Sequence, residues 1–109
     1  MKSRRSESLK SKIIIERLFD KNTNSIYSKS FKIAYLKNKV NTLRWVIATS
    51  KKKFTTAPLR NNAKRKIRML LQEVNLPGYD IAIFASENFK TKKFSELRIE
   101  FNELIKRIN

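Results

Sequence analysis

Between Lys21 and Gln72 the chain carries fourteen Lys and Arg residues and not one Asp or Glu. Residues 1–20 hold six bases and three acids, and residues 73–109 hold six of each. Of the net charge of +17, +14 therefore lies in one continuous stretch. A solvated helix face normally mixes signs, as the C-terminal third does. The acid-free stretch must supply core-forming elements while displaying its cations outward, because self-repulsion destabilises a compact state unless a counter-charge is met. A polyanion is the natural partner for such a surface.

The remaining composition allows one modest core. Hydrophobic residues make up 40% of the 109, with seven Phe, three Tyr and one Trp. This length suits one domain over residues 1–109. One Gly and two Pro argue against a low-complexity chain. Zero Cys and zero His remove disulfides, thiolate nucleophiles, Cys-based zinc sites and the commonest general base, and fit a reducing cytoplasm. The basic N-terminus runs into no apolar stretch longer than Ile13-Ile14-Ile15, so neither a signal peptide nor a membrane span is expected.

Hydrophobic spacing orders the elements. Ser8 is placed to cap a first helix running to about Asp20, with Ile14, Ile15, Leu18 and Phe19 on its apolar face. Lys21 to Ser28 reads as a polar loop, with room for one short strand near residues 24–28. Phe31, Ile33 and Tyr35 alternate with Lys32 and Ala34, the period of a strand. Asn38 to Thr42 is a turn, and Arg44 to Thr49 a second, β-rich strand. Thr55 or Thr56 opens a long helix with Pro58 in its first turn. Leu59, Ala63, Ile67, Leu70 and Val74 form its apolar stripe, flanked by Arg60, Lys64 and Arg68 four residues apart. Pro77-Gly78 is the expected stop. Tyr79 to Ala85 is an apolar strand, and Phe94, Leu97, Phe101, Leu104 and Ile108 space a last helix. An α+β two-layer domain follows, with helices on a small sheet.

Catalytic chemistry borne by the protein is hard to build from these residues. The nine acids are scattered, whereas metal-assisted phosphoryl chemistry without His needs converging carboxylates. Glu96, Glu100 and Glu103 sit among Arg98, Lys106 and Arg107 and read as a solvated face. There is no Gly-rich phosphate loop and no nucleophile beside a base. Binding is better supported: aromatics on strands and apolar residues of the first helix, next to uncompensated cations, can stack bases and hold phosphates of RNA. Each aromatic also has a plainer role, and Phe31, Tyr35 and Trp45 are expected in the core.

The segment Lys51-Lys52-Lys53-Phe54-Thr55-Thr56-Ala57-Pro58-Leu59-Arg60-Asn61-Asn62-Ala63-Lys64-Arg65-Lys66-Ile67-Arg68 resembles the signature of the bacterial ribonuclease P protein subunit. That signature is a Ser/Lys-rich strand end and a short loop, then Arg-Asn-Arg-x-x-Lys-Arg-x-x-Arg opening a helix. Leu9-Lys10 through Phe19 resembles the family's N-terminal helix, Leu43-Arg44 the start of its central strand, and Gly78-Tyr79-Asp80-Ile81 its later strand. Four departures stand out, one of them an extra residue inserted near Lys51–Lys53. Asn62 replaces the third residue of the Arg-Asn-Arg triplet, Ile15 replaces the first of two helix aromatics, and Phe54-Thr55 fills the loop where Gly is usual.

The resemblance implies a two-layer α-β-β-β-α-β-α fold with a left-handed crossover, shared with a domain of a small-subunit ribosomal protein. It implies a protein that assists a catalytic RNA, which uses Mg2+ to remove the 5′ leader from precursor tRNA. By position, Arg60, Asn61, Asn62, Lys64, Arg65 and Arg68 would contact the catalytic RNA, with Lys51, Lys52 and Lys53 beside them. Lys12, Ile15 and Phe19 would line a leader cleft, with Lys32 as a phosphate contact. Tyr35 joins them if its strand turns that face to the cleft, which the alternation leaves open. No catalytic or metal-ligating residue, no obligate protein partner and no membrane are implied.

A small ribosomal or ribosome-assembly protein would need the same charge and fold. A membrane-surface binder would need a basic amphipathic helix lying flat, and neither the charge-neutral last helix nor the core-committed long helix supplies one. RNA affinity is expected to fall steeply with salt, each neutralised phosphate adding about −0.7 (single strands) to −0.9 (duplex) to the slope of log K against log salt. A titration series should give a slope steeper than about −2, and a shallower one would contradict the basic surface.

Overall fold

The computed structural model describes residues 6–20 and 23–108. In chain order the elements are β1 (Ser6–Ser8), α1 (Lys12–Leu18), β2 (Ser25–Tyr27), β3 (Phe31–Lys37), β4 (Leu43–Ala48), α2 (Ala57–Leu71), β5 (Tyr79–Ala85), a 3-10 turn (Glu87–Thr91) and α3 (Phe94–Ile108). The strands make one mixed sheet in the order β1-β4-β5-β3-β2. β1 pairs parallel with β4 and β4 parallel with β5, while β3 runs antiparallel to both β5 and β2. α2 is the crossover that joins the parallel neighbours β4 and β5, as a parallel pair requires.

Strand alternation divides the side chains between two faces of the sheet. One face carries Phe31 and Ile33 of β3, Leu43 of β4, and Ile81, Ile83 and Ala85 of β5. Against it α2 lays Ala63, Ile67, Leu70 and Leu71, and α3 lays Leu97, Phe101, Leu104 and Ile108. Phe31 meets Phe101 and Phe89 edge-on, with ring centroids 5.3 and 5.6 Å apart, the geometry that aromatic quadrupoles favour. The other face is smaller. Ala34 of β3 and Ala82 of β5 floor a second cluster with Leu9 and Leu18, and Ile14, Ile15, Leu36, Val46 and Phe84 close around it. Small alanines in the floor let the short α1 approach the sheet.

An acid outside the basic stretch fastens it. Asp80 is buried in β5 and accepts both guanidinium bonds of Arg44, Nε to Oδ1 at 2.8 Å and Nη2 to Oδ2 at 2.9 Å. Asn38 Nδ2 also donates to its Oδ1 at 2.8 Å. The pair locks β4 to β5 and ties down the turn before β4. Gly78 enters β5 with φ of 84°, a left-handed conformation that other residues adopt only under strain. Its carbonyl accepts the Asn38 N–H at 2.8 Å.

Several sequence-based expectations are corrected. Ser8 does not cap the first helix; it pairs with Trp45 in β1, and Leu9 N–H donates to the Trp45 carbonyl at 2.7 Å. This long-range pairing delays the helix, whose N-cap is Ser11, and the helix itself ends at Leu18. Of the expected Lys21–Ser28 loop, residues 21–22 lie outside the described residues, and the short strand for which residues 24–28 left room does form, as β2 at Ser25–Tyr27. α2 starts at its Thr56 cap, whose side chain accepts the Leu59 N–H. It ends at Leu71 rather than at Pro77-Gly78, because the chain turns there to bury Val74 and Leu76 in the main core. Leu59, placed on the apolar stripe, is 42% exposed, since the first turn of α2 overhangs the core.

Arg44→Ala should leave the buried Asp80 with only its Asn38 bond. Removing one partner of a buried pair costs about 3–5 kcal/mol, and Arg44 is itself partly exposed, so a loss near the lower bound is expected in denaturant unfolding. A loss under about 1 kcal/mol, the range of surface pairs, would show that the pair does not hold the sheet.

Candidate nucleic-acid interface

Cations and aromatics gather on two surfaces that meet at the turn between β4 and α2. The first surface is the outer side of α2. Helical periodicity that buries Ala63, Ile67 and Leu70 turns Asn61, Asn62, Arg65 and Arg68 fully outward and leaves Arg60, Lys64 and Lys66 half-exposed. Arg65 Nη2 donates to Asn62 Oδ1 at 2.9 Å, so Asn62 orients a neighbouring guanidinium. Arg60 Nη1 donates to the Phe54 carbonyl at 2.9 Å, bracing the turn that leads into the helix. Among the described residues, the carboxylates in salt bridges pair with Arg44, Lys90, Lys92 and Arg98, none of them on α2. The α2 cations thus keep their charge directed at solvent.

The second surface is the groove between α1 and the sheet. Ile15 packs into the small core, while Phe19, at the C-cap of α1, remains 49% exposed. Its ring meets Phe84 edge-on, centroids 5.0 Å apart. Register sets Phe84 of β5 opposite Lys32 of β3, and Lys32 opposite Tyr27 of β2. Lys32 Nζ lies 5.0 Å from the Phe84 centroid and 5.6 Å from that of Tyr27, within cation–π reach of both. The row lies at the carboxyl ends of the parallel strands β4 and β5, where open α/β sheets usually bind ligands. A cavity of about 300 Å³ opens there, lined by Tyr27, Ser28, Lys32, Lys53, Phe84 and Ser86 together with Phe31 and Ala85 of the main core.

The predicted site residues divide between these surfaces, with one exception. Ile15, Phe19 and Lys32 border the groove, and Lys12 is exposed on the first turn of α1. Lys51, Lys52 and Lys53 are exposed in the turn, but Lys53 reaches the groove wall rather than continuing the α2 face. Tyr35 is the exception. It shares the face of Phe31 and Ile33, packs against the main core and meets Tyr79 edge-on at 6.3 Å. The whole strand obeys one alternation, so burying Phe31 sends Tyr35 away from α1. Sequence reasoning missed Phe84 and Tyr27. β5 is apolar on both faces, so its pattern does not show which residue meets α1, and Tyr27 sat in a segment read mainly as loop.

The sequence model of the Ribonuclease P family matches residues 3–109. The chain belongs to the ribonuclease P protein family. It is similar to the ribonuclease P protein component of Mesoplasma florum, 34% identical over 91% of this chain and 97% of that protein. It also resembles the Mycoplasma genitalium component, 36% identical over 68% of this chain; that match spans only 59% of the relative's length. The ribonuclease P protein of Thermotoga maritima superposes with a TM-score of 0.82 at 26% identity, covering 94% of this chain and 98% of that one. Family membership makes the chain the protein component of a ribonucleoprotein, with an RNA as its partner.

The groove's outer wall is held by a carboxylate from the far layer. Glu100 of α3 accepts the Ser28 hydroxyl, the Ser30 N–H at 2.6 Å and the Ser30 hydroxyl at 3.0 Å, and Lys92 Nζ lies 3.5 Å away. Burial raises the Glu100 pKa, but the Ser28 and Ser30 hydrogen bonds and the Lys92 charge outweigh it and hold the group below its ordinary 4.5. A carboxylate depressed in the folded state adds stability above its unfolded pKa and loses it as pH falls through the folded value. Glu100→Gln should therefore cost about 1–2 kcal/mol at neutral pH. The gap to the parent should close as pH drops below 4.5; a pH-independent gap in thermal melts would contradict the charged anchor.

Proposed function

We propose that this protein grips two RNAs at once. The exposed bases of α2 dock on the catalytic RNA of ribonuclease P, and the groove between α1 and the sheet holds the single-stranded 5′ leader of precursor tRNA. The observation that carries this reading is the pairing of two features: an α2 face whose cations, among the described residues, have no carboxylate in a salt bridge, and a row of stacking rings with a cation. A structured RNA presents dense phosphates to the first, and an unpaired strand presents bases and phosphates to the second.

The RNA subunit supplies the chemistry in this reading. Mg2+ is assigned to the RNA and its substrate. The protein's share is to raise substrate affinity and to offset phosphate repulsion where leader and catalytic RNA approach each other, with Lys53 between the two surfaces. Arg65 and Arg68 supply the free cations of the docking face. Arg60 shapes the turn through Phe54, and Asn62 takes the place of a cation while orienting Arg65. No helix among the described residues is long and apolar enough to cross a membrane. Action in the cytoplasm, without an obligate protein partner, is part of the proposal.

Reconstitution tests it. Adding the protein to bacterial ribonuclease P RNA and precursor tRNA should restore 5′ cleavage at Mg2+ concentrations too low for the RNA alone. The protein without RNA should cleave nothing. Specific retention on ribosomal RNA without stimulated cleavage would refute the proposal.

A further inference from the structure

We infer that Tyr27, with Lys32 and Lys53, forms a second nucleotide subsite at the open end of the groove, taking one more unpaired nucleotide of the strand that Phe19 and Phe84 engage. The inference rests on the leader reading above and extends it to a residue that nothing in the α1 helix or the α2 signature includes.

Tyr27 is the outermost residue of a cross-strand row. From β5 to β2 the row runs Phe84, Lys32, Tyr27, two interstrand spacings or about 10 Å. Stacked bases repeat at about 3.4 Å along a strand, so rings that far apart address different nucleotides. Tyr27 is 62% exposed on an edge strand, while Phe31 of the adjoining strand is buried. Its side chain therefore contributes little to the core and presents a ring to solvent. Lys32 Nζ lies between the two rings, where it can meet the phosphate that links two stacked nucleotides. Lys53 lines the same cavity and can meet the next phosphate.

The wall that carries Tyr27 is braced before any RNA arrives. Glu100 holds Ser28 and Ser30 from beneath. Ser86, at the end of β5, donates its hydroxyl to the Lys29 carbonyl at 2.6 Å and its N–H to the Ser30 carbonyl at 2.9 Å. The turn from β2 to β3 is thereby tied to both α3 and β5. Preorganisation of this kind lowers the ordering cost of binding, which suits a subsite more than a loose strand edge.

The test uses the reconstituted holoenzyme and precursor tRNAs whose leaders grow one nucleotide at a time from none to ten. Affinity of the parent should rise with leader length in separable increments. Tyr27→Ala should remove one increment, weakening long-leader substrates about five- to tenfold and leaving mature tRNA unchanged. Tyr27→Phe, which keeps the ring, should retain that increment. Phe19→Ala should remove a different increment. A length profile unchanged by Tyr27→Ala but altered by Phe19→Ala would overturn the subsite and leave the leader reading standing. Profiles unchanged by both would overturn the two together. Equal weakening of precursor and mature tRNA by Tyr27→Ala would also overturn it, by placing Tyr27 on another part of the RNA.

Discussion

The register of β3 against β5 is the constraint on which the other features depend. Phe31 opposite Ala85 and Ile33 opposite Ile83 face α2 and α3, so Lys32 opposite Phe84 and Ala34 opposite Ala82 must face α1. A slip of one residue would exchange the faces, placing a lysine in the main core and a phenylalanine against α1. The same alternation builds the core and aims Lys32 between two rings of the groove. Core and groove are therefore two sides of one pairing.

Electrostatics fit around that pairing. The fourteen cations of residues 21–72 have no acid among themselves, and the structure answers with a few placed carboxylates from later in the chain. Asp80 takes Arg44 inside the sheet, and Glu100 secures the turn from β2 to β3. Neither neutralises α2. Stability is supplied where strands must meet, and uncompensated charge is left on the outer side of α2, the proposed docking face. A protein built this way trades intrinsic stability for affinity toward a polyanion, and the RNA partner returns stability by mass action.

Much of this was legible because it is local. Strand β5 falls at the expected residues 79–85, and the spacing of Leu97, Phe101, Leu104 and Ile108 marks the buried face of α3. Thr56 and Pro58 announce the start of α2, and its bases share a face at helical spacing. What was not legible depends on contacts far apart in sequence. Ser8 joins a strand only because β4 lies beside it. The end of α2 follows from where Val74 and Leu76 must be buried, which helical spacing does not encode. Phe31, Ile33 and Tyr35 visibly share a side, but which side α1 covers depends on packing, and so Tyr35 lies away from the groove. The row Tyr27, Lys32, Phe84 crosses three strands, and no motif along the chain contains it.

The central claim is that two separate surfaces serve two separate RNAs, and one paired comparison tests it directly. Arg65→Ala and Phe19→Ala are each assembled with the catalytic RNA, and affinities for that RNA, for precursor tRNA and for mature tRNA are measured. Arg65→Ala should weaken assembly while leaving the precursor-to-mature affinity ratio of the assembled enzyme unchanged. Phe19→Ala should assemble normally and lower that ratio. If both variants weaken assembly and ratio alike, the two surfaces act as one and the account is wrong.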